Sequence, residues 1–207
     1  MNYHRNPANC TDSRTKRQHI LDAAYVVFSR KGYHRATVDE IIALADTGKG
    51  TVYNYFVNKE QLFYTLIKER SAPFEATLGQ IVQSTETSFT KVKTMIKVFL
   101  EFYLTNADLW RVMMHEVRGI GGAESSNLTE EQRDKYREWF AHTIGMLEKV
   151  LDDGVQQGVI RKCDVNKAAY GLFSVIMMMV FQKLVDDDIN ATANTIADIF
   201  LYGVAAK

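Results

Sequence analysis

Proline is scarce: the 207 residues contain two, Pro7 and Pro73. A chain so poor in the residue that breaks helices can be helical throughout. Cysteine is as rare, and Cys10 and Cys163 lie too far apart for a metal-binding pair or a disulfide framework. They point to a reducing, cytoplasmic compartment, with no metal and no cofactor expected. No stretch alternates apolar and polar residues well enough to argue for a strand, and nothing repeats at a fixed period. The opening MNYHRNPANCTDS lacks an apolar core and does not read as a signal peptide. The longest apolar run, Ala168–Phe181, spans fourteen residues. That is too short to cross a bilayer, so no membrane contact is expected and the run reads as a buried helix. A chain of this length should bury about 70% of its unfolded surface.

Net charge is also absent, but zero conceals an asymmetry: residues 1–60 carry nine Lys and Arg against six Asp and Glu, and the remainder sixteen against nineteen. A basic head on an acidic body suits contact with a polyanion, although a solvated helix face has the same composition.

Helical periodicity is what the sequence has in quantity. Thr15 with Gln18, Thr37 with Glu40, and Thr129 with Gln132 have the spacing of N-terminal capping boxes. They predict helices over about 15–31 (apolar face Ile20, Ala24, Val27, Phe28), 38–45 and 129–158. Others are expected over 49–56, from 59 onward, and over 89–105, 107–117, 165–185 and 191–205. The fourth either kinks at Pro73 or breaks there. Asp186, Asp187 and Asp188 read as an unfavourable acidic end to helix 165–185, and 118–127 as a mobile Gly/Ser-rich loop. The expected fold class is all-α with about nine helices. It divides into a flexible tail (1–12), a small N-terminal domain (13–60) and a larger helical domain (61–207).

Two short helices separated by Asp46-Thr47-Gly48 have helix-turn-helix proportions. In that motif the second helix enters the major groove. Val52 and Phe56 serve as its inward anchor, leaving Lys49, Thr51, Tyr53, Asn54 and Tyr55 outward. These side chains suit base edges, thymine methyls and phosphate oxygens. Lys59 stands in the first turn of the next helix, where the helix dipole disfavours a cation, so phosphate is a natural partner for it.

Ile20–Ile67 resembles the DNA-binding domain of TetR-family transcriptional regulators. The resemblance is carried by Ala23, Ala24, Phe28, Gly32, Thr37-Val38 and Ile41, then by KGTVYNYF (Lys49–Phe56) and NKEQL (Asn58–Leu62). It implies contact with a double-stranded, palindromic DNA operator through Lys49, Gly50, Thr51, Tyr53, Asn54 and Tyr55. Thr37 and Lys59 would clamp the DNA backbone, with added phosphate contacts from Tyr33 and Arg35. It also implies a homodimer and repression released by a small molecule. The turn departs from the family pattern, since many relatives carry Gly, an aliphatic residue, and Ser or Thr where this chain has Asp46, Thr47 and Gly48.

The larger domain is rich in aromatic residues and methionine, which suit a plastic apolar core or pocket. If the family pattern holds, an apolar or amphipathic effector is lined by some of Phe99, Tyr103, Trp110, Met114, His115, Met146, Phe173 and Met177. The last two helices are apolar on more than one face, which a two-fold homodimer would cover. The rival classes are an adaptor and an enzyme. No catalytic constellation is recognisable, and HEVRG (His115–Gly119) lacks the second histidine of a zinc-protease helix.

Overall fold

Side chains that satisfy the free N–H groups of helix starts set the element boundaries. The computed structural model describes residues 8–118 and 129–203, so the expected 118–127 loop lies almost wholly outside the described residues. Among the described residues every regular element is an α-helix: α1 (Ala8–Arg35), α2 (Val38–Leu44), α3 (Lys49–Tyr55), α4 (Lys59–Gln83), α5 (Ser88–Thr105), α6 (Ala107–Arg118), α7 (Glu130–Gln156), α8 (Val165–Phe181) and α9 (Ile189–Tyr202). The all-α expectation is met, and none of these helices is long and apolar enough to cross a membrane.

The Thr37–Glu40 and Thr129–Gln132 capping boxes are both complete, each threonine hydroxyl accepting from the third helical N–H at 3.3 Å. The Thr15 box does not start a helix. α1 begins at Ala8, because no helix breaker stands between Pro7 and Gly32. α4 runs through Pro73 without a break. α8 ends at Phe181 rather than Val185: Lys183 takes φ 56°, its N–H bonds Val180 O at 3.1 Å, and the Leu184 N–H bonds Met179 O at 2.8 Å. This left-handed closure is usually built on glycine, which is why a lysine did not announce it. The acidic run therefore opens α9 instead of ending α8. Asp188 accepts from the Asn190 N–H at 2.9 Å, and Asp186 accepts from the Thr192 hydroxyl at 3.0 Å. There the helix dipole favours the negative charge.

The contacts divide the chain into two units, Met1–Ser71 with Arg111–Asn127, and Ala72–Trp110 with Leu128–Lys207. In the first, Ile20, Phe28, Ile41, Val52, Leu62, Phe63 and Leu66 are buried. Phe63 meets Phe28 edge-on at 4.9 Å and Tyr33 at 5.0 Å. At the end of α1 the backbone bends at Gly32 (φ 75°, ψ 170°), a region open essentially to glycine alone. In the second unit α5 packs against α7, α8 and α9. Gly154 near the end of α7 is closely approached: a Cβ there would come within 2.6 Å of Ile160 Cδ1 and 3.0 Å of Ser88 Cβ, so these side chains would have to shift.

Two stability predictions follow from the backbone. Gly32→Ala, which meets no neighbouring atom, is expected to lose about 1–3 kcal/mol through conformation alone. Lys183→Gly relieves a left-handed residue and is expected to gain up to about 1 kcal/mol. Urea unfolding of the purified variants checks both.

Candidate nucleic-acid interface

α2 closes on Asp46, which adopts φ 47°. Its N–H reaches Ala43 O at 3.4 Å, and the Thr47 N–H reaches Ile42 O at 3.3 Å. The turn thus uses the closure described for α8, with aspartate as the left-handed residue, a type that tolerates this region better than most. α3 then starts at Gly48, whose backbone is extended and which supplies no capping side chain. A Cβ at Gly48 would meet only Thr51 Oγ1, at 3.7 Å.

Val52 and Phe56 are 1% and 2% exposed and anchor α3, with Ile41 of α2 fully buried. This fixes the opposite face outward. Lys49, Gly50, Tyr53 and Asn54 are exposed, and Thr51 and Tyr55 are half-buried. Lys49 Nζ lies 3.1 Å from Asp39 Oδ1, an ion pair in which both side chains are mostly exposed. Such a surface pair contributes little and is readily exchanged for another anion. Thr37 is exposed as the cap of α2. Arg35 is exposed as well, its Nε donating to Lys31 O at 3.1 Å.

Two of the expected residues, Tyr33 and Lys59, have partners within the chain. Tyr33 is 6% exposed, stacked on Phe28 and tilted on Phe63. Burial, with smaller contributions from Glu60 and Glu116, pushes its phenol up to about 12. Tyr33 is a core residue because the bend at Gly32 turns its ring inward. Lys59 donates to Tyr33 O at 3.0 Å and Ala36 O at 3.2 Å, with its ammonium 4.5 Å above the Tyr33 ring. These carbonyls and the ring compensate it for an unfavourable helix position. Burial also holds its pKa below the usual lysine range. Sequence spacing held no sign of this clamp, since its partners are main-chain carbonyls of another helix and its loop.

Of the residues expected to line an effector site, Phe99, Tyr103, Trp110 and Phe173 come together. Ring centroids lie 6.1 Å apart for Phe99–Phe173, 5.7 Å for Tyr103–Phe173 and 5.2 Å for Tyr103–Trp110. Trp139 stacks on Trp110 at 5.1 Å, and Phe74, which the sequence did not single out, stacks on Phe102 at 4.2 Å. Met177 is buried and Met146 half-buried in the same unit. Met114 and His115 group with the first unit instead. Trp110 Nε1 is buried and has no hydrogen-bond partner among the described residues.

A family model described as bacterial regulatory proteins, tetR family, matches residues 20–65, and a tetracyclin repressor-like C-terminal domain model matches 85–181. The chain is 29% identical over 198 residues to the fatty acid metabolism regulator protein of Bacillus subtilis, covering 94% of this chain and 98% of that one. The structure of the transcriptional regulator FadR from Bacillus subtilis in complex with stearoyl-CoA superposes with a TM-score of 0.74 at 27% identity, covering 91% of this chain and 99% of that one. The fatty acid degradation regulator FadR from Bacillus halodurans superposes equally, at 0.74 and 25% identity, with 91% and 99% covered.

Two variants test the local geometry by thermal denaturation. Gly48→Ser has room for its side chain and gains a cap, so it is expected to be more stable by a few tenths of a kcal/mol (~0.3). Lys59→Ala removes two hydrogen bonds from the α1–α2 corner and is expected to lose about 1–3 kcal/mol.

Proposed function

Because this chain belongs to the TetR family of bacterial regulatory proteins, we propose that it is a repressor that leaves its operator when an apolar-tailed effector binds. It is a DNA-binding transcriptional regulator and not an enzyme. The observation that carries the DNA-facing surface is the division of α3 into two faces. Val52 is sealed in the core while Lys49, Tyr53 and Asn54 are exposed together. Asn54 suits an adenine edge, the Tyr53 hydroxyl a phosphate, and Thr51 and Tyr55 flank them at half depth. Thr37 and Arg35 meet the DNA backbone beside α2. Tyr33 and Lys59 act from behind, by holding the corner from which α2 departs. We assign DNA binding to residues 13–60, and effector binding and dimerisation to 61–207. Such a regulator works in the cytoplasm, where bacterial DNA lies.

Two features support the effector class. The second unit holds a connected set of aromatic rings and also contains the adaptable Met146 and Met177. The buried Trp110 N–H offers a donor to a carbonyl inside that apolar setting. A long acyl chain carried on a thioester combines both requirements, as does the stearoyl-CoA bound by the Bacillus subtilis relative. For assembly, Tyr170, Val175 and Met178 of α8, and Ile199 and Tyr202 of α9, are between 37% and 61% exposed. A second copy packed two-fold on these helices covers them and spaces two α3 helices for successive major grooves of a palindrome, about 34–36 Å apart.

The test is fluorescence anisotropy with DNA taken from upstream of the chain's own gene. Binding is expected to weaken steeply with salt and to be reversed by stearoyl-CoA. Asn54→Ala should cost about 1–3 kcal/mol of operator affinity with unfolding unchanged. A protein that ignores this DNA at low salt, or binds it identically after Asn54→Ala and Tyr53→Ala, would refute the assignment.

A further inference from the structure

A second chemistry is assembled within the first unit, away from α3. His34 stands near the C-terminal end of α1, and His115 and Glu116 are neighbours on α6. Glu116 Oε1 lies 2.8 Å from His34 Nε2 and 3.5 Å from His115 Nδ1. One ligating atom from each of the three residues falls within 4.8 Å of the others. The imidazole rings stand at 82° to each other with centroids 6.4 Å apart. The Glu116 side chain is 2% exposed, whereas His34 and His115 are 33% and 49% exposed. Glu116 Oε2 is buried without a hydrogen-bond partner among the described residues. A cavity of about 290 Å³ opens beside them and is also lined by Lys31, Arg35 and Arg111.

A buried carboxylate that leaves one oxygen unpaired is costly, and the cost persists unless something fills that position. A protonated histidine answers Oε1 and leaves Oε2 as it was. A dication bound at Oε1 neutralises the carboxylate and so lowers the cost of leaving Oε2 without a hydrogen bond. Zinc bonds to histidine nitrogen and carboxylate oxygen are about 2.0–2.1 Å, so tetrahedral ligand atoms stand about 3.3 Å apart. The observed 2.8 and 3.5 Å separations bracket that value. Two imidazoles and one carboxylate select a transition metal over calcium or magnesium, which prefer oxygen ligands. The cationic lining of the cavity favours an anion or hydroxide as the fourth ligand.

We propose that His34, His115 and Glu116 form a site for a divalent first-row transition metal such as zinc, with its open coordination position facing this cavity. The metal would tie α6 to the end of α1, beside the Tyr33 and Ala36 carbonyls that Lys59 holds. It binds whether or not the chain regulates transcription, so the site stands apart from the functional reading above.

The test uses full-length protein stripped with EDTA and titrated with Zn²⁺ by calorimetry, and with Co²⁺ by visible absorption. One metal per chain is expected, with cobalt bands of low coordination number. His34→Ala and His115→Ala are each expected to weaken binding by more than the roughly 10–100-fold that loss of an outer-shell partner costs. Cys163→Ser and His142→Ala should bind as the parent does. His115 is half-exposed, so its variant reports on the site even if His34→Ala fails to fold. No binding by the parent protein, undiminished binding in His115→Ala, or loss of binding in Cys163→Ser would each overturn the proposal.

Discussion

A seven-residue helix has no stability of its own in water. α3 exists as an oriented element only because Val52 and Phe56 are sealed in the core of the first unit. The remaining features of that unit serve this constraint. The Asp46 closure ends α2 sharply enough for α3 to turn back onto the same core. The Thr37–Glu40 capping box fixes where α2 starts. Lys59 then holds the corner between α1 and α2 by two main-chain carbonyls. Exposed polar groups on α3 are therefore carried on a rigid base, which is what reading a groove requires.

The second unit works by different physics. Its interior is built from aromatic rings at mutual distances of about 4–6 Å, with edge-on pairs around Phe173 and both edge-on and stacked pairs around Trp110. Methionines of the same unit, Met146 and Met177, are side chains that adjust at low cost. The exposed apolar residues of α8 and α9 instead face outward.

The capping boxes at Thr37 and Thr129 were readable because capping is local: the donor, the acceptor and their three-residue spacing all lie in one stretch. The inward roles of Val52 and Phe56 were readable from helical spacing alone. The end of α8 was not, since its left-handed closing residue is a lysine, and the acidic run was consequently placed on the wrong helix. The setting of Tyr33 and Lys59 within the chain was not legible for another reason. Both are polar-tipped and sit beside a basic segment, and only the bend at Gly32 makes one a core ring and the other its lid.

The sequence by itself determined the helical class, the helix-turn-helix and the residues of its outward face, because these depend on contacts between near neighbours in the chain. Tertiary structure alone decided what α6 does with His115 and Glu116. Their partner His34 is 81 positions away in the chain, so no spacing rule relates them. Folding brings three weak ligands within 4.8 Å of one another and removes a carboxylate from water. Proximity and desolvation, which give such a cluster its chemistry, are properties of the packed chain and have no local sequence signature.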